Sequence, residues 1–281
     1  MNSENKTQHG ALYGYWSIRP GFWVISNGWQ CFQYLLIGET GAVLIDTGYG
    51  EGNIRAIAER ITQKPIRPVN THGHFDHTGG NGCWPKVWMS EGSKRDCRRA
   101  FSRQNDEWAA AKPYPDYETC VLTDGTILDL GGETLEVFAI PAHHDGSIAL
   151  LAKQNRALFT GDEFESGQVL ILKEQSDPSF LPTIVRHRQH AERLLSRQAE
   201  YDYLFPAHNG YMLDAKRYLG DFIELDTRIL NGKAEAQSDT AGFNYPADPV
   251  GSGSIFGMFG VQQRVSFGVA SIVYRNNPVS K

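Results

Sequence analysis

A chain of 281 residues, 41% hydrophobic and 21% charged, has the make-up of a folded globular protein with a substantial core, which excludes a disordered or fibrous chain. The net charge of −5 weighs against nucleic acid or an anionic membrane as the main partner. Four cysteines, Cys31, Cys83, Cys97 and Cys120, with no C-x-x-C pair, exclude a disulfide framework and suit a reducing cytoplasm.

The opening MNSENKTQHG is polar and shows no signal peptide. No stretch approaches about eighteen uninterrupted apolar residues, so no membrane span is expected. From Gly21 the chain reads as short strands: GFWVIS, then QCFQYLLIG, a turn at Glu39 to Gly41, and AVLIDTG. Trp23, Trp29, Phe32 and Tyr34 are either core residues of this hairpin or the wall of an apolar pocket. Asp46 stands where the apolar strand ends, a place where sites collect in layered α/β proteins, although a turn-capping aspartate has the same signature. Residues 51–63, EGNIRAIAERITQ, put Ile54, Ile57 and Ile61 at i, i+3 and i+7, the spacing of an amphipathic helix. After Pro65, IRPVN reads as a strand, and this strand, helix, strand order implies a right-handed crossover in an α/β architecture.

That strand delivers THGHFDHTGG, residues 71–80, the densest chemistry in the chain. His72, His74, Asp76 and His77 fall within six positions. Their spacing fits no single helix face, so a loop wrapped around a metal is expected, eased by Gly73, Gly79 and Gly80. Imidazole and carboxylate together favour a first-row divalent metal over calcium or magnesium. If His72 and His74 point one way and Asp76 and His77 another, one loop serves two metals.

The motif resembles the His-x-His-x-Asp-His signature of the metallo-β-lactamase superfamily. The resemblance covers roughly residues 20–230 and implies an α/β fold, the four-layer αββα sandwich of that family, with the ligand motifs within 71–208; no boundary marks a second domain, so residues 1–281 read as one. It also makes Asp46 the aspartate that braces the ligand loop from behind the metals.

Further along, KVWMS reads as a strand. Lys94, Arg95, Arg98, Arg99 and Arg103 recur as on one helix face, which is either a solvated helix or, with AFSRQNDEWAAAKPYPDYE, a basic lid that attracts an acidic substrate. TLEVFAI ends at PAHHDGS, which resembles the family's Pro-x-His-x-x-Gly-Ser segment and selects His143 over the adjacent His144. IALLA and RALFT are strands, and Gly161-Asp162 after the second resembles the family's Gly-Asp, whose carboxylate bridges two metals. A bridging aspartate there sets the chain with the lactonase and glyoxalase II-like branch rather than with true β-lactamases. Residues 181–198 read as a helix with Ile184, Val185, Ala191, Leu194 and Leu195 inward, and His187 and His190 are read as surface residues. YDYLF is a strand, and PAHNG after it presents His208, matching the family's last ligand. Residues 213–230 read as a helix ended by Asn231 and Gly232, and residues 232–281 as a loop and a closing strand, VSFGVASIVY. The glycine-rich GSGSIFGMFG lacks the P-loop lysine, so phosphate binding there is not expected.

Residue by residue, the resemblance gives His72, His74 and His143 to one metal and Asp76, His77 and His208 to a second, with Asp162 shared. Two divalent ions are implied, zinc first, with manganese or iron as alternatives. A hydroxide bridging the metals is then the expected nucleophile on an ester, thioester or lactone carbonyl, with Asp76 or Asp162 carrying the proton to the leaving group. Lactonases of the family place a tyrosine shortly after the bridging aspartate, where this sequence has Glu163, Phe164 and Glu165, and the strand-like tail differs from the helical one of glyoxalase II. The alternative is an oxidoreductase resembling the persulfide dioxygenases, which hold one iron with two histidines and an aspartate. A small-molecule substrate is expected, with no nucleic-acid or membrane partner, and a homodimer as a family habit.

Overall fold

A computed structural model describes residues 13–27, 31–50, 52–98, 116–238 and 262–275 of the chain. Trp29, most of the basic stretch proposed as a lid and the segment GSGSIFGMFG lie outside these residues.

The first sheet takes its seven strands in sequence order: β1 (Gly14–Arg19), β2 (Phe22–Ser26), β3 (Phe32–Ile37), β4 (Ala42–Ile45), β5 (Ile66–Val69), β6 (Lys86–Met89) and β7 (Glu118–Val121). β1 to β4 form an antiparallel meander, and β4 to β7 run parallel. The switch of sense follows from the connections. The β1–β2 and β3–β4 links are short turns, whereas β4 reaches β5 through helix α1 (Ile54–Ile61), the crossover that parallel strands require. The Asn53 side chain caps α1 by accepting from the Ala56 N–H at 3.0 Å, and Ile54, Ile57 and Ala58 turn inward. One-turn helices α2 (Phe75–Thr78) and α3 (Glu91–Lys94) interrupt the loops after β5 and β6.

The second half begins with β8 (Ile127–Asp129), β9 (Thr134–Ala139), β10 (Ile148–Ala152) and β11 (Ala157–Gly161), which pair antiparallel in turn. β12 (Val169–Glu174) then leaves this sheet, helix α4 (Phe180–Leu195) covers it, and β13 (Tyr203–Pro206) returns parallel to β11. β14 (Leu213–Asp214) completes the six strands, and helix α5 (Ala215–Leu230) starts two residues later than the sequence suggests because those two residues pair with β13. A small third sheet joins β12 to β15 (Gln237–Ser238), β16 (Gln262–Phe267) and β17 (Ala270–Arg275). The expected single closing strand is therefore a hairpin, turned at Gly268, whose φ of +57° is readily available only to a residue without Cβ.

Three apolar layers separate the elements. Ile54, Ile57 and Ala58 of α1 pack on Leu35, Leu44 and Val87 of the first sheet. Between the sheets lie Val24, Tyr34, Leu36 and Val43 from one side and Leu135, Val137, Leu150, Phe159 and Phe205 from the other. Behind the second sheet, Ile184 and Leu194 of α4 and Leu219 and Phe222 of α5 cover Phe138, Ala149 and Leu158. Helix, sheet, sheet, helix is thus the layer order. Being covered on both faces, β4, β10 and β11 are buried along their whole length and read as continuous apolar runs. Tyr34 belongs to this packing, since its hydroxyl donates to the Pro206 carbonyl, so it is a core residue and not a pocket wall. Among the described residues no helix is long and apolar enough to cross a membrane.

Candidate metal centre

Every chemically notable residue follows the C-terminal end of a strand. Asp46 follows β4, the 71–77 segment follows β5, His143 follows β9, Asp162 follows β11 and His208 follows β13. β4 and β5 are parallel, as are β11 and β13, and β9 runs with β11 because both are antiparallel to β10. These strand ends converge on one edge of the sandwich. The two sheets are stitched there by the Ile148 N–H donating to the Thr71 carbonyl at 2.8 Å and the Phe32 N–H donating to the Ala207 carbonyl at 2.7 Å.

The ligand segment is not loop throughout. Thr71 to His74 is irregular, but Phe75–Thr78 makes one helical turn that carries Asp76 and His77, with the His77 ring against that of His72 at 3.9 Å between centroids. His72 Nε2 and His143 Nε2 each lie 3.0 Å from His74 Nδ1. On the other side, His208 Nε2 lies 3.3 Å from Asp76 Oδ2 and 3.4 Å from His77 Nε2. Asp162 stands between the two groups. Its Oδ2 is 3.6 Å from His143 Nε2 and 3.9 Å from His72 Nε2, while its Oδ1 is 3.3 Å from His77 Nε2 and 3.6 Å from His208 Nε2.

The far side of the rings is equally defined. His77 Nδ1 sits 2.8 Å from Asp46 Oδ2 and His143 Nδ1 sits 2.7 Å from the Leu170 carbonyl, so in both rings Nδ1 donates and Nε2 faces the cluster. The His77 carbonyl is itself fixed by the Thr47 N–H at 2.8 Å, the Thr47 hydroxyl at 3.0 Å and the Asn70 amide at 2.8 Å. His144 is excluded from the cluster. Its Nδ1 accepts from the Gly146 N–H at 2.9 Å and its Nε2 faces Asp96 Oδ2 at 3.1 Å.

The donor set fits divalent metal ions. Three groups, His72 with His74 and His143, His72 with His77 and Asp162, and Asp76 with His77 and His208, each bring three donor atoms within 4.8 Å of one another. Asp162 Oδ1 is buried and faces the ring nitrogens of His77 at 3.3 Å and His208 at 3.6 Å, an oxygen that burial penalises unless a proton on those rings or a metal ion meets it. The charges agree. Burial lowers the pKa of His72 well below its usual value, reinforced by His77, and lowers His74 to about 3, so both rings are neutral and able to ligate. Burial also opposes charge on His77 and His208, but Asp162 with Asp76 outweighs it, holding His77 well above its ordinary range and His208 at about 9. Asp162 and Asp76 are burdened by burial too, yet the facing histidines keep Asp162 well below the carboxylate range and Asp76 at about 2. Protons on His77 and His208 therefore occupy the positions that a cation would take.

Several neighbours belong to none of the motifs. Glu165 is buried, and burial followed by the charge of Asp162 pushes its carboxyl up to about 8, while the Asn209 amide donates to it at 2.8 Å. Cys31 lies against the ligand turn, its thiol donating to the Asp76 carbonyl at 3.5 Å. His187 is buried rather than exposed, because residues 184, 187, 191 and 194 share the inward face of α4.

The sequence profile described as the metallo-beta-lactamase superfamily matches residues 26–208. Over 191 residues the chain is 27% identical to the acyl-coenzyme A thioesterase MBLAC2 of Homo sapiens, covering 56% of this chain and 68% of that one. It is 26% identical over 156 residues to a hydroxyacylglutathione hydrolase of Francisella tularensis subsp. tularensis, covering 55% of this chain and 56% of the relative. Among solved structures, a metallo-beta-lactamase family protein from Thermus thermophilus superposes with a TM-score of 0.57 at 19% identity, over 77% of this chain and 82% of that one. A metallo-beta-lactamase from Pontibacter korlensis gives 0.56 at 21% identity, over 76% and 99%.

Proposed function

The chain belongs to the metallo-beta-lactamase superfamily, and from that premise we propose that it is a metal-dependent hydrolase of acyl compounds, acting on a thioester in preference to an ester or lactone. The observation that supports this reading is the gathering of the donors around the two oxygens of Asp162, Oδ2 facing His143 and His72 and Oδ1 facing His77 and His208. We assign His72, His74 and His143 to one ion and Asp76, His77 and His208 to a second, with zinc as the metal. Three donors and a shared carboxylate would leave positions open on each ion, which would suit catalysis rather than a structural role. Ions held there supply Lewis acidity toward a carbonyl oxygen and lower the pKa of a bound water toward about 7.

The residues of the chain do the rest. The Asp46 and Leu170 acceptors keep His77 and His143 in the ligating tautomer. Asp76 and Asp162, ionised at neutral pH, are carboxylates of the site that could accept a proton and return it to a leaving group. The thioester preference draws on the curated relatives, one named an acyl-coenzyme A thioesterase and the other a hydrolase of hydroxyacylglutathione, both of which release an acyl group from a thiol carrier.

Elemental analysis of protein purified without added metal, followed by a panel of acyl thioesters, esters and lactones, tests the reading. Two zinc ions per chain with free thiol released from the thioesters is the expected result. One iron per chain, with oxygen consumed on a persulfide, overturns it in favour of the dioxygenase chemistry.

A further inference from the structure

Glu163 follows Asp162 directly but turns its side chain away from the donor cluster. It is 1% exposed, and its Oε1 accepts from the backbone N–H groups of Ala142 at 2.9 Å and His143 at 2.8 Å. One residue thus ties the turn that presents Asp162 to the turn that presents His143, which lie on separate strand ends of the second sheet. The backbone of Glu163 is held as well. Its carbonyl lies 2.9 Å from His187 Nε2, and His187 Nδ1 lies 2.8 Å from Asp226 Oδ2.

A carbonyl and a carboxylate can only accept, so both ring nitrogens of His187 donate and the ring is a cation paired with Asp226. Burial opposes that charge, but Asp226 outweighs it and lifts His187 to about 9. Phe164 stacks on the ring at 4.7 Å and Phe222 meets it edge-on at 5.4 Å, so no rotation is free. A buried ion pair of this kind contributes little net stability compared with well-packed apolar residues, which points to geometry as its use.

We propose that Glu163, anchored from behind by the His187–Asp226 pair, is a positioning residue that sets the spacing of Asp162 and His143 and thereby the affinity of the three-histidine set for its metal. The inference rests on the reading of that set as a metal site. Asp226 on α5, His187 on α4, Glu163 and the 142–143 backbone form a continuous chain of hydrogen bonds from the outer helices to a ligand.

The test measures zinc affinity by chelator competition and the visible spectrum of the cobalt-substituted protein, beside thermal unfolding of the metal-free form. Glu163→Gln keeps an oxygen for both N–H donors and is expected to hold zinc within about threefold of wild type. Glu163→Ala removes it, with an expected loss of about 10–100-fold in affinity and a changed cobalt spectrum. The double variant His187→Leu with Asp226→Leu replaces the ion pair by apolar side chains, so its thermal stability is retained while its zinc affinity still falls. This second variant decides the matter if Glu163→Ala does not fold. Wild-type affinity and an unchanged cobalt spectrum in the double variant, or in a folded Glu163→Ala, overturn the inference while leaving the hydrolase reading intact. Wild-type protein that takes up neither zinc nor cobalt overturns both.

Discussion

Asp46 Oδ2 and His77 Nδ1 lie 2.8 Å apart, and the same carboxylate gathers the Thr71 N–H at 2.7 Å and the Thr71 hydroxyl at 2.8 Å. One aspartate therefore fixes both the start of the ligand segment and the tautomer of its last member. Asp46 adopts a φ of 61°, a left-handed conformation that Asp and Asn tolerate better than other side chains. Asp46→Asn keeps that backbone but turns an amide N–H₂ toward groups that already donate. Zinc affinity in chelator competition is expected to fall about 10–100-fold while the circular dichroism stays native. Unchanged affinity would remove Asp46 from the metal site.

His143 and His144 are adjacent in the sequence, but they face different partners. His143→Ala removes a donor from the three-histidine set, so elemental analysis is expected to find close to one ion fewer per chain. His144→Ala breaks the contacts to Asp96 and the Gly146 N–H and leaves every proposed donor in place. Full metal content is expected there, and a loss of metal equal to that in His143→Ala would show the assignment to be reversed.

The centre of the site is legible in the sequence because four donors crowd into six positions, a density that local chemistry alone explains. His143, Asp162 and His208 stand far apart along the chain and are readable only through the family resemblance, since parallel strand ends bring them together. The bracing groups are not readable in this way. Glu163 acts through backbone N–H groups 20 and 21 residues away, and Asp226 reaches His187 across 39 positions. His187 and His190, at i and i+3 with no carboxylate motif beside them, read as surface residues, yet the apolar residues at 184, 191 and 194 place His187 on the buried face, and that pattern is present in the sequence. The closing strand is recognisable by its composition, but Gly268 divides it because a hairpin needs the positive φ that glycine supplies there.

Metal-free and zinc-loaded protein are expected to respond to pH in opposite directions. His208 titrates at about 9 against an ordinary value of 6.5, and His77 is raised as well. A histidine with a raised folded pKa contributes stability that is complete below its unfolded pKa and is lost as pH rises through the folded one. The metal-free protein therefore becomes less stable from about pH 7 to about pH 9, by on the order of 1–3 kcal/mol. Zinc held by the proposed donors would displace those same protons, so its affinity is expected to rise over that interval and its binding to acidify a weakly buffered solution. Thermal melts with and without zinc, together with a proton-release titration, check both halves. Zinc uptake at pH 7 without proton release would contradict the charge assignment.

Gly161 connects the end of β11 to Asp162 with a φ of +55°, and a Cβ built on it would stand 2.7 Å from Thr71 Oγ1 and 2.8 Å from Thr71 Cβ. Thr71 cannot yield without breaking its bonds to Asp46. Gly161→Ala thus combines backbone strain with a clash transmitted to the brace of the ligand segment, and urea unfolding of the metal-free protein is expected to show a loss of about 2–4 kcal/mol. Zinc affinity should fall in the same variant, because Asp162 and Thr71 are displaced together. Gly220, in the interior of α5, has no positive φ, and a methyl group added there would meet nothing within 4 Å. Gly220→Ala is therefore expected to gain about 0.5–1 kcal/mol from helix propensity and to leave zinc binding unchanged. The contrast between the two substitutions separates the general effect of adding a methyl group from the specific closeness of β11 to the metal centre. Equal effects of both on stability and zinc binding would show that this closeness carries no energetic weight.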